Sequence, residues 1–287
     1  MKTLKTIACI SFLILCTTGG YAQFKKVTYA SKQQIEAFFK SKTMIVMDAN
    51  PVIGYNIVIA DAVKKYWTLT PFEIITSEKF DEIYTDPSLS FIFLSRLELK
   101  KETDVCYLYM NVVMGAKVKD ITSLPELLSL PLAYTGVDED NYVDKLPLMV
   151  RFAQIHLERM KNKNFRMPYS LKDYNSNAKL LKNKTLLVKE SDLSPEVNTL
   201  EKIQKLYPGK IRITDSETIM QAIENKEADV AVLHQVGPGE NENNGRSYRL
   251  IFGTDGILHY YNYLTISQRY PAGMLARDFR WVGDHIK

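Results

Sequence analysis

Hydrophobic residues recur along this chain with two different spacings, which predict helices and strands in alternation. Apolar residues at helical spacing indicate helices at residues 31–40 and 57–67. Residues 44–47 and 91–94 are apolar on consecutive positions and indicate strands that are covered on both faces. Strands and helices that alternate in this way are typical of right-handed crossovers in a mainly parallel sheet.

The same strand–helix–strand–helix–strand pattern occurs twice. The opening strand begins with Lys42-Thr43 in the first copy and with Lys184-Thr185 in the second, and two later segments also recur, with small shifts that fit loop deletions. An internal repeat of roughly 60 residues predicts that both halves share one architecture. The matching segments are 42–46 with 184–188, 72–78 with 211–217, and 86–94 with 225–233.

Beyond the third strand the two copies have different sequences. The first copy adds a predicted strand at 105–114, whereas the second has strands at 248–252 and 257–263 around a glycine-containing hairpin turn. Hairpins place antiparallel strands at the edges of the sheets. We therefore predict an α/β protein with two tandem related α/β domains, whose mainly parallel sheets have antiparallel edge strands.

The amino-terminal segment at 1–22 has the pattern of a signal peptide. Lysines precede an apolar stretch at 7–16, and the small residue Ala22 provides a cleavage position. We expect cleavage after Ala22 and export to the periplasm or the cell exterior. Lipidation at Cys16 is disfavoured because Leu15 occupies a position that normally requires a small residue.

The expected mature chain consists of a first domain at 23–164, which ends in a covering helix, and a second domain at 165–287. It keeps Cys106 alone of the 3 cysteines, so no internal disulfide is expected. The formal charge of +4 is small, and lysines and arginines are scattered among acidic residues. This distribution argues against nucleic acid as a partner, and no transmembrane segment is expected after signal cleavage.

Polar residues that follow the predicted strands are the candidate ligand-binding groups. Ligands of open parallel sheets bind at the carboxyl ends of the strands, where loops and helix amino termini converge. We expect a cleft between the domains lined by such residues. Helix capping and turn formation are the alternative roles for several of them. The candidates are Asp48, Asn50, Tyr55, Arg96, Glu190, Ser191 and His234.

Motifs for catalysis or for metal binding are missing from the sequence. None of the 4 histidines has a metal-binding spacing, and there is no GxSxG elbow. The glycine-containing loop at 237–245 lacks the Lys and Ser/Thr of a phosphate-binding loop. His234 is the sole histidine at a predicted strand end and the sole candidate for catalysis. We assign no catalytic residue, metal or cofactor.

Residues 182–235 resemble the second lobe of periplasmic solute-binding proteins of the amino-acid-binding type. The resemblance rests on the strand at 184–188, the strand at 210–213 and the helix–strand segment at 217–232. It implies a two-lobed protein that closes over a small solute. A long helix separates the copies where that family has short hinge strands, and each copy is also similar to the amino-terminal domain of TolB-type envelope proteins.

These observations favour an exported, non-enzymatic binding protein of the bacterial cell envelope. One alternative is an assembly or scaffold protein that pairs with another chain through an exposed sheet edge near Tyr260, Tyr261 and Tyr263. A second alternative is an enzyme of unknown class. The expected partner is therefore a small solute or an envelope protein.

Overall fold

The computed structural model describes residues 27–98, 105–238 and 244–287. The predicted signal peptide lies outside the described residues. The first half contains α1 (Lys32–Phe38), β1 (Lys42–Val46), α2 (Gly54–Tyr66), β2 (Phe72–Ile75), α3 (Ser77–Ile83), β3 (Leu89–Glu98), β4 (Cys106–Met114), β5 (Glu126–Tyr134) and α4 (Leu146–Arg159). The second half contains β6 (Thr185–Val188), α5 (Leu200–Gln204), β7 (Lys210–Ile213), α6 (Ser216–Asn225), β8 (Val230–Val236), β9 (Arg246–Gly253), β10 (Leu258–Thr265) and α7 (Ala276–His285).

The two halves form five-stranded sheets with the same strand order. The first sheet runs β2-β1-β3-β4-β5, and the second runs β7-β6-β8-β9-β10. In each sheet the first three strands are parallel, and the fourth and fifth strands are each antiparallel to the strand before them. The predicted fold class is confirmed. The repeat also extends over all five strands, beyond the three that the sequences reveal.

The sheet register aligns the third strands of the two copies differently from the sequence match. Thr43 in β1 pairs with Ser90 in β3, and its counterpart Thr185 in β6 pairs with Val230 in β8. Ser90 therefore corresponds to Val230 in the structure, whereas the sequence match sets it against Asp229. This difference of one position matters because it exchanges the two faces of a strand.

Local side-chain contacts explain where the helices begin. The Ser31 hydroxyl accepts from the Gln34 backbone N–H, and the Gln34 side chain accepts from the Ser31 backbone N–H, which completes a capping box. In α3 the cap is Thr76, whose hydroxyl accepts from the Lys79 N–H at 3.3 Å. These caps satisfy backbone donors that have no partner inside the helix.

Helix α4 packs between the two halves. Its residue Phe152 lies 5.5 Å from Phe252 of β9, measured between ring centroids. The Arg151 guanidinium donates to the Ile223 carbonyl at the end of α6, at 3.0 Å. One hydrophobic cluster accordingly contains buried residues of both sheets. The helix that was expected to cover the first sheet thus also fixes the second half against it.

Candidate functional site

Two cavities lie at the carboxyl ends of the parallel strands, one associated with each sheet. The first-sheet cavity has a volume of about 290 Å³ and adjoins the ends of β1 and β3. The central cleft has a volume of about 910 Å³ and lies between the halves. Asp48 and Arg96 line the first-sheet cavity, whereas Glu190 and Ser191 line the central cleft. The expectation that these residues share one cleft is therefore wrong, because each sheet has its own carboxyl edge.

Both halves contribute walls to the central cleft. The first half supplies the end of β5 and the turn after it, and the second supplies the loop after β6 and the end of β8. Side-chain amides line the cleft alongside acidic groups, so the walls offer both donors and acceptors. The polar lining residues are Asp138, Asn141, Glu190, Ser191, Asp192, Asn198 and Gln235.

A group of largely buried ionisable side chains lies against the cleft. This buried ionic cluster consists of Asp144, Lys145, Lys189, Asp192 and His234. Lys145 is 1% exposed, Asp192 4% and Lys189 8%. Lys145 precedes α4 in the first half, and Lys189 and Asp192 follow β6 in the second half. The cluster therefore connects the two halves through charged groups.

Asn141 and Asp192 hold the two lysines of the cluster. The Lys145 Nζ donates to the Asn141 carbonyl at 3.2 Å and lies 3.9 Å from Asp192 Oδ2. The Lys189 Nζ donates to Asn141 Oδ1 at 3.1 Å. Asn141 and Asp192 both line the cleft. A molecule in the cleft would thus contact the residues that bind both ammonium groups.

Burial weakens the preference of the cluster for its charged forms. It raises the pKa of Asp192 and of Asp144, although the neighbouring lysines oppose this shift. Burial, and next the charge of Lys145, lower the pKa of Lys189, against the effect of the nearby carboxylates. Buried charges of this kind require several hydrogen-bond partners to be stable.

Some acceptors of the cluster have no such partner. Among the described residues, nothing donates a hydrogen bond to Asp192 Oδ2 or to either carboxylate oxygen of Asp144. Most buried polar atoms in proteins have a partner, so orphaned atoms require an explanation such as a bound molecule. The orphaned oxygen of Asp192 is notable because the same side chain lines the cleft.

His234 is a neutral, packed side chain. It has no exposed surface and does not line the cleft. Its Nε2 lies 3.2 Å from the Pro131 carbonyl, so this nitrogen carries the proton and donates, and Nδ1 is an acceptor. Burial, and next the charge of Lys145, hold the pKa of His234 well below its usual range. This position offers no contact with a molecule in the cleft.

The first-half candidates take mainly structural roles. Asp48 accepts from the Asn50 N–H at 3.0 Å and forms an ion pair with Arg96 at 3.3 Å. Asn50 is exposed, and its side chain accepts from the Val52 N–H at 3.3 Å, which is a turn contact. Tyr55 is fully buried and lines neither cavity, and burial raises its pKa.

The sheet edge at β10 is covered, contrary to the expectation that it is exposed. The Asn175 side chain donates to the Tyr261 carbonyl at 3.1 Å and accepts from the Tyr261 N–H at 2.7 Å. Tyr260 is 3% and Tyr261 9% exposed, and Tyr260 donates to Asp278 at 2.6 Å. Tyr263 alone of the three tyrosines is exposed, at 38%.

Sequence reasoning missed the lysines of the cluster. Lys189 directly follows the apolar run of β6, so the strand-end rule could have selected it together with Glu190. Lys145 gave no such signal because it precedes a helix in the other half. Only the packing of the halves brings these two side chains together.

Comparisons of the chain with protein-family models, with curated proteins and with solved structures find no match. The resemblances to solute-binding lobes and to TolB-type domains therefore stay hypotheses. Across residues 27–98, 105–238 and 244–287, no helix has the length and apolar character needed to cross a membrane. In the same residues, no three or more His, Cys, Asp or Glu side chains are grouped to hold a metal ion.

Proposed function

We propose that this protein is a binding protein that takes up a small polar solute in the central cleft. The observation that supports the proposal is the buried ionic cluster, whose residue Asp192 lines the cleft and has an orphaned carboxylate oxygen. The cavity volume of about 910 Å³ falls within the usual range for small-molecule sites. A solute at this wall would lie beside this incompletely hydrogen-bonded cluster and contact the side chains that support it.

The lining favours a solute that both donates and accepts hydrogen bonds. When ionised, Glu190 and Asp192 can only accept hydrogen bonds, whereas the amides of Asn141 and Gln235 can both donate and accept. Hydroxyl and amine groups would suit the carboxylates, and carbonyl or hydroxyl oxygens would suit the amides. We infer that the solute is uncharged and polyhydroxylic, or zwitterionic.

Export of the protein is part of the same proposal. It rests on the predicted signal peptide at residues 1–22 and on the resemblance to periplasmic solute-binding proteins. Amino-terminal sequencing of the protein from a fractionated bacterial host tests it. A mature amino terminus at Gln23 in the exported fraction would support export, and an intact amino terminus in the cytoplasmic fraction would contradict it.

A thermal-shift screen tests solute binding directly. The protein from Gln23 onward is heated with amino acids, sugars, nucleotides and peptidoglycan fragments. A solute at one hundred times its dissociation constant should stabilise the fold by about 2.7 kcal/mol. For a protein of this size, that corresponds to a rise in melting temperature of roughly 5–10 °C.

Matched variants locate the binding. Asp192→Asn and Glu190→Gln each remove one carboxylate from the cleft, and both should reduce the stabilisation by the solute. Glu201→Gln makes the same change on the exposed face of α5 and should not reduce it. A screen without any stabilising solute, or equal stabilisation of all three variants, would contradict binding in the central cleft.

A further inference from the structure

The first-sheet cavity is separate from the central cleft and has a different character. Its lining is largely apolar and includes two aromatic side chains. The rings of Phe80 and Phe93 have centroids 5.3 Å apart. At about 290 Å³ the cavity is small, so it suits a compact ligand. The apolar lining residues are Val27, Val46, Met47, Ala49, Phe80, Phe93, Leu94, Val113, Ile121 and Leu124.

One carboxyl group in this cavity has no cationic partner in the part of the chain that the structure describes. Glu126 begins β5, and its backbone is fixed by hydrogen bonds with residues 28–30 on the neighbouring segment. Its Oε1 accepts from the Tyr169 hydroxyl at 2.9 Å. Within the described part of the chain, no basic side chain lies at ion-pair distance from Glu126. Burial raises the pKa of this carboxyl, as expected where no cation compensates the loss of water.

The other charges of the cavity do not supply that cation. Among the described residues of the lining, Arg96 is the sole basic one, and it forms an ion pair with Asp48 at 3.3 Å. The remaining acidic residue, Asp81, is exposed at the rim. The described lining residues therefore carry three carboxyl groups against one guanidinium, and the carboxyl of Glu126 is the one without an ion pair that also has a raised pKa.

We propose that the first-sheet cavity binds a small organic ammonium ion, with its apolar group against the adjoining rings of Phe80 and Phe93 and its cation at Glu126. Aromatic faces attract cations, and they do so more strongly where water is excluded. A carboxylate beside such rings adds a charge-assisted hydrogen bond to the ammonium group. This site is independent of solute binding in the central cleft, since the two cavities share no lining residue.

Binding of phenethylamine tests the proposal, and 2-phenylethanol and 3-phenylpropanoate serve as neutral and anionic comparison probes. Titration calorimetry gives the affinities, and the ¹³C methyl signal of Met47, assigned with Met47→Leu, shows whether binding occurs in this cavity. We expect the amine to move the Met47 signal. The neutral and anionic probes should bind at least about tenfold more weakly, because they carry no cation to form an ion pair with Glu126.

Glu126→Gln tests the carboxyl while keeping an acceptor for Tyr169. It should weaken phenethylamine binding by about tenfold or more. Glu98→Gln makes the same change on the exposed part of β3 and should bind the amine like the parent protein. Phe93→Leu provides a second variant, should Glu126→Gln prove unstable, and is also expected to weaken binding.

The proposal fails if phenethylamine does not bind, if the Met47 signal stays in place, or if the alcohol binds as tightly as the amine. Equal binding by the Glu126→Gln and Glu98→Gln variants would also reject it. Asp192→Asn, in the central cleft, should leave phenethylamine binding unchanged. Failure in one cavity is thereby distinguished from failure in the other.

Discussion

His156 is held neutral inside the protein by its two ring contacts. It lies in α4 without exposed surface. Its Nε2 lies 3.2 Å from the Leu127 carbonyl and therefore donates, which leaves Nδ1 to accept from the Tyr174 hydroxyl at 2.9 Å. A second proton would break the Tyr174 contact. Burial, the largest cause, lowers the pKa of His156 to about 4 from an ordinary 6.5.

The shift of His156 predicts a loss of stability in acid. Between pH 6.5 and pH 4 the unfolded chain binds a proton that the folded protein does not, so the contribution of this residue is full above pH 6.5 and falls below it. The loss from this one group is about 3 kcal/mol by pH 4. Urea unfolding at a series of pH values measures it, and His156→Gln should have a shallower pH dependence.

Other groups titrate in the same range, so the comparison between variants is decisive. Asp144 and Asp192 have raised pKa values and favour the folded state as pH falls, which opposes the histidine effect. His285→Gln, at an exposed position, supplies the control. If His156→Gln and His285→Gln both keep the pH dependence of the parent protein, His156 does not govern acid stability.

Lys145 and Asp192 should contribute to stability as a pair. Lys145→Met leaves Asp192 without its nearest cation in a buried site, at a cost of roughly 3–5 kcal/mol. The double variant Lys145→Met/Asp192→Leu removes both charges and should recover much of that loss. Urea unfolding of the parent, the two single variants and the double variant gives the coupling energy. Strictly additive effects would show that the pair is not coupled.

At the level of elements, the polar segment before β6 ends the second sheet. The 3-10 helix Leu171–Asn183 lies along β10, and the amide of Asn175 takes the place of a neighbouring strand. The amide of Asn177 adds a contact to the Leu258 carbonyl at 3.0 Å. Capping an edge in this way prevents the addition of further strands.

Asn175→Ala should therefore destabilise the protein and promote its association. Two backbone groups of Tyr261 would lose their partners, at a cost of about 1–3 kcal/mol. Urea unfolding measures the stability, and light scattering with size-exclusion chromatography measures association. Ser176→Ala, at the adjacent exposed position, should remain close to the parent protein. Unchanged stability and mass in Asn175→Ala would contradict an edge-capping role.

The burial of Tyr261 also changes how the scaffold alternative must be tested. Replacing Tyr261 would disturb the core, so loss of a complex in such a variant would not identify an interface. Tyr263→Lys alone alters an exposed position on β10. A partner that binds this edge should be lost in Tyr263→Lys while the melting temperature stays unchanged.

The elements that the sequence predicts best are those with consecutive apolar residues. β1, β6, β8 and the first half of β3 are largely buried, and this burial gives them nearly continuous hydrophobic sequences in both copies. The fourth and fifth strands of each sheet escape detection as a repeat because different side chains occupy equivalent positions. Tyr109 in β4, for example, corresponds by register to the buried Arg249 in β9.

At the scale of the whole molecule, the site depends on how the halves pack, which no local pattern encodes. The strand-end rule selected Glu190 and Ser191, which line the central cleft, because that rule follows from sheet topology alone. It could not assign Asp48 to a different cavity. The rule could not identify Lys145 either. The Lys145 side chain lies near Lys189 only because α4 fixes one half against the other.

The shared core predicts that both halves unfold together. Phe152 of α4 is fully buried and contacts Phe252 of the second sheet, so Phe152→Ala should cost about 3–5 kcal/mol. Since Phe152 belongs to a cluster with members in both sheets, we expect this loss to affect both equally. Native-state hydrogen exchange measures it: the slowest amides of β1 and of β6 should exchange faster by the same factor.

Val52→Ala is the control for this experiment, because it truncates an apolar side chain that is 83% exposed and should leave exchange unchanged. If Phe152→Ala accelerated exchange in β1 but not in β6, the halves would be separate folding units joined by a contact. The central cleft could then open without unfolding either sheet. Equal acceleration means that the cleft walls are held in one cooperative structure, so a solute bound there stabilises the whole molecule against unfolding.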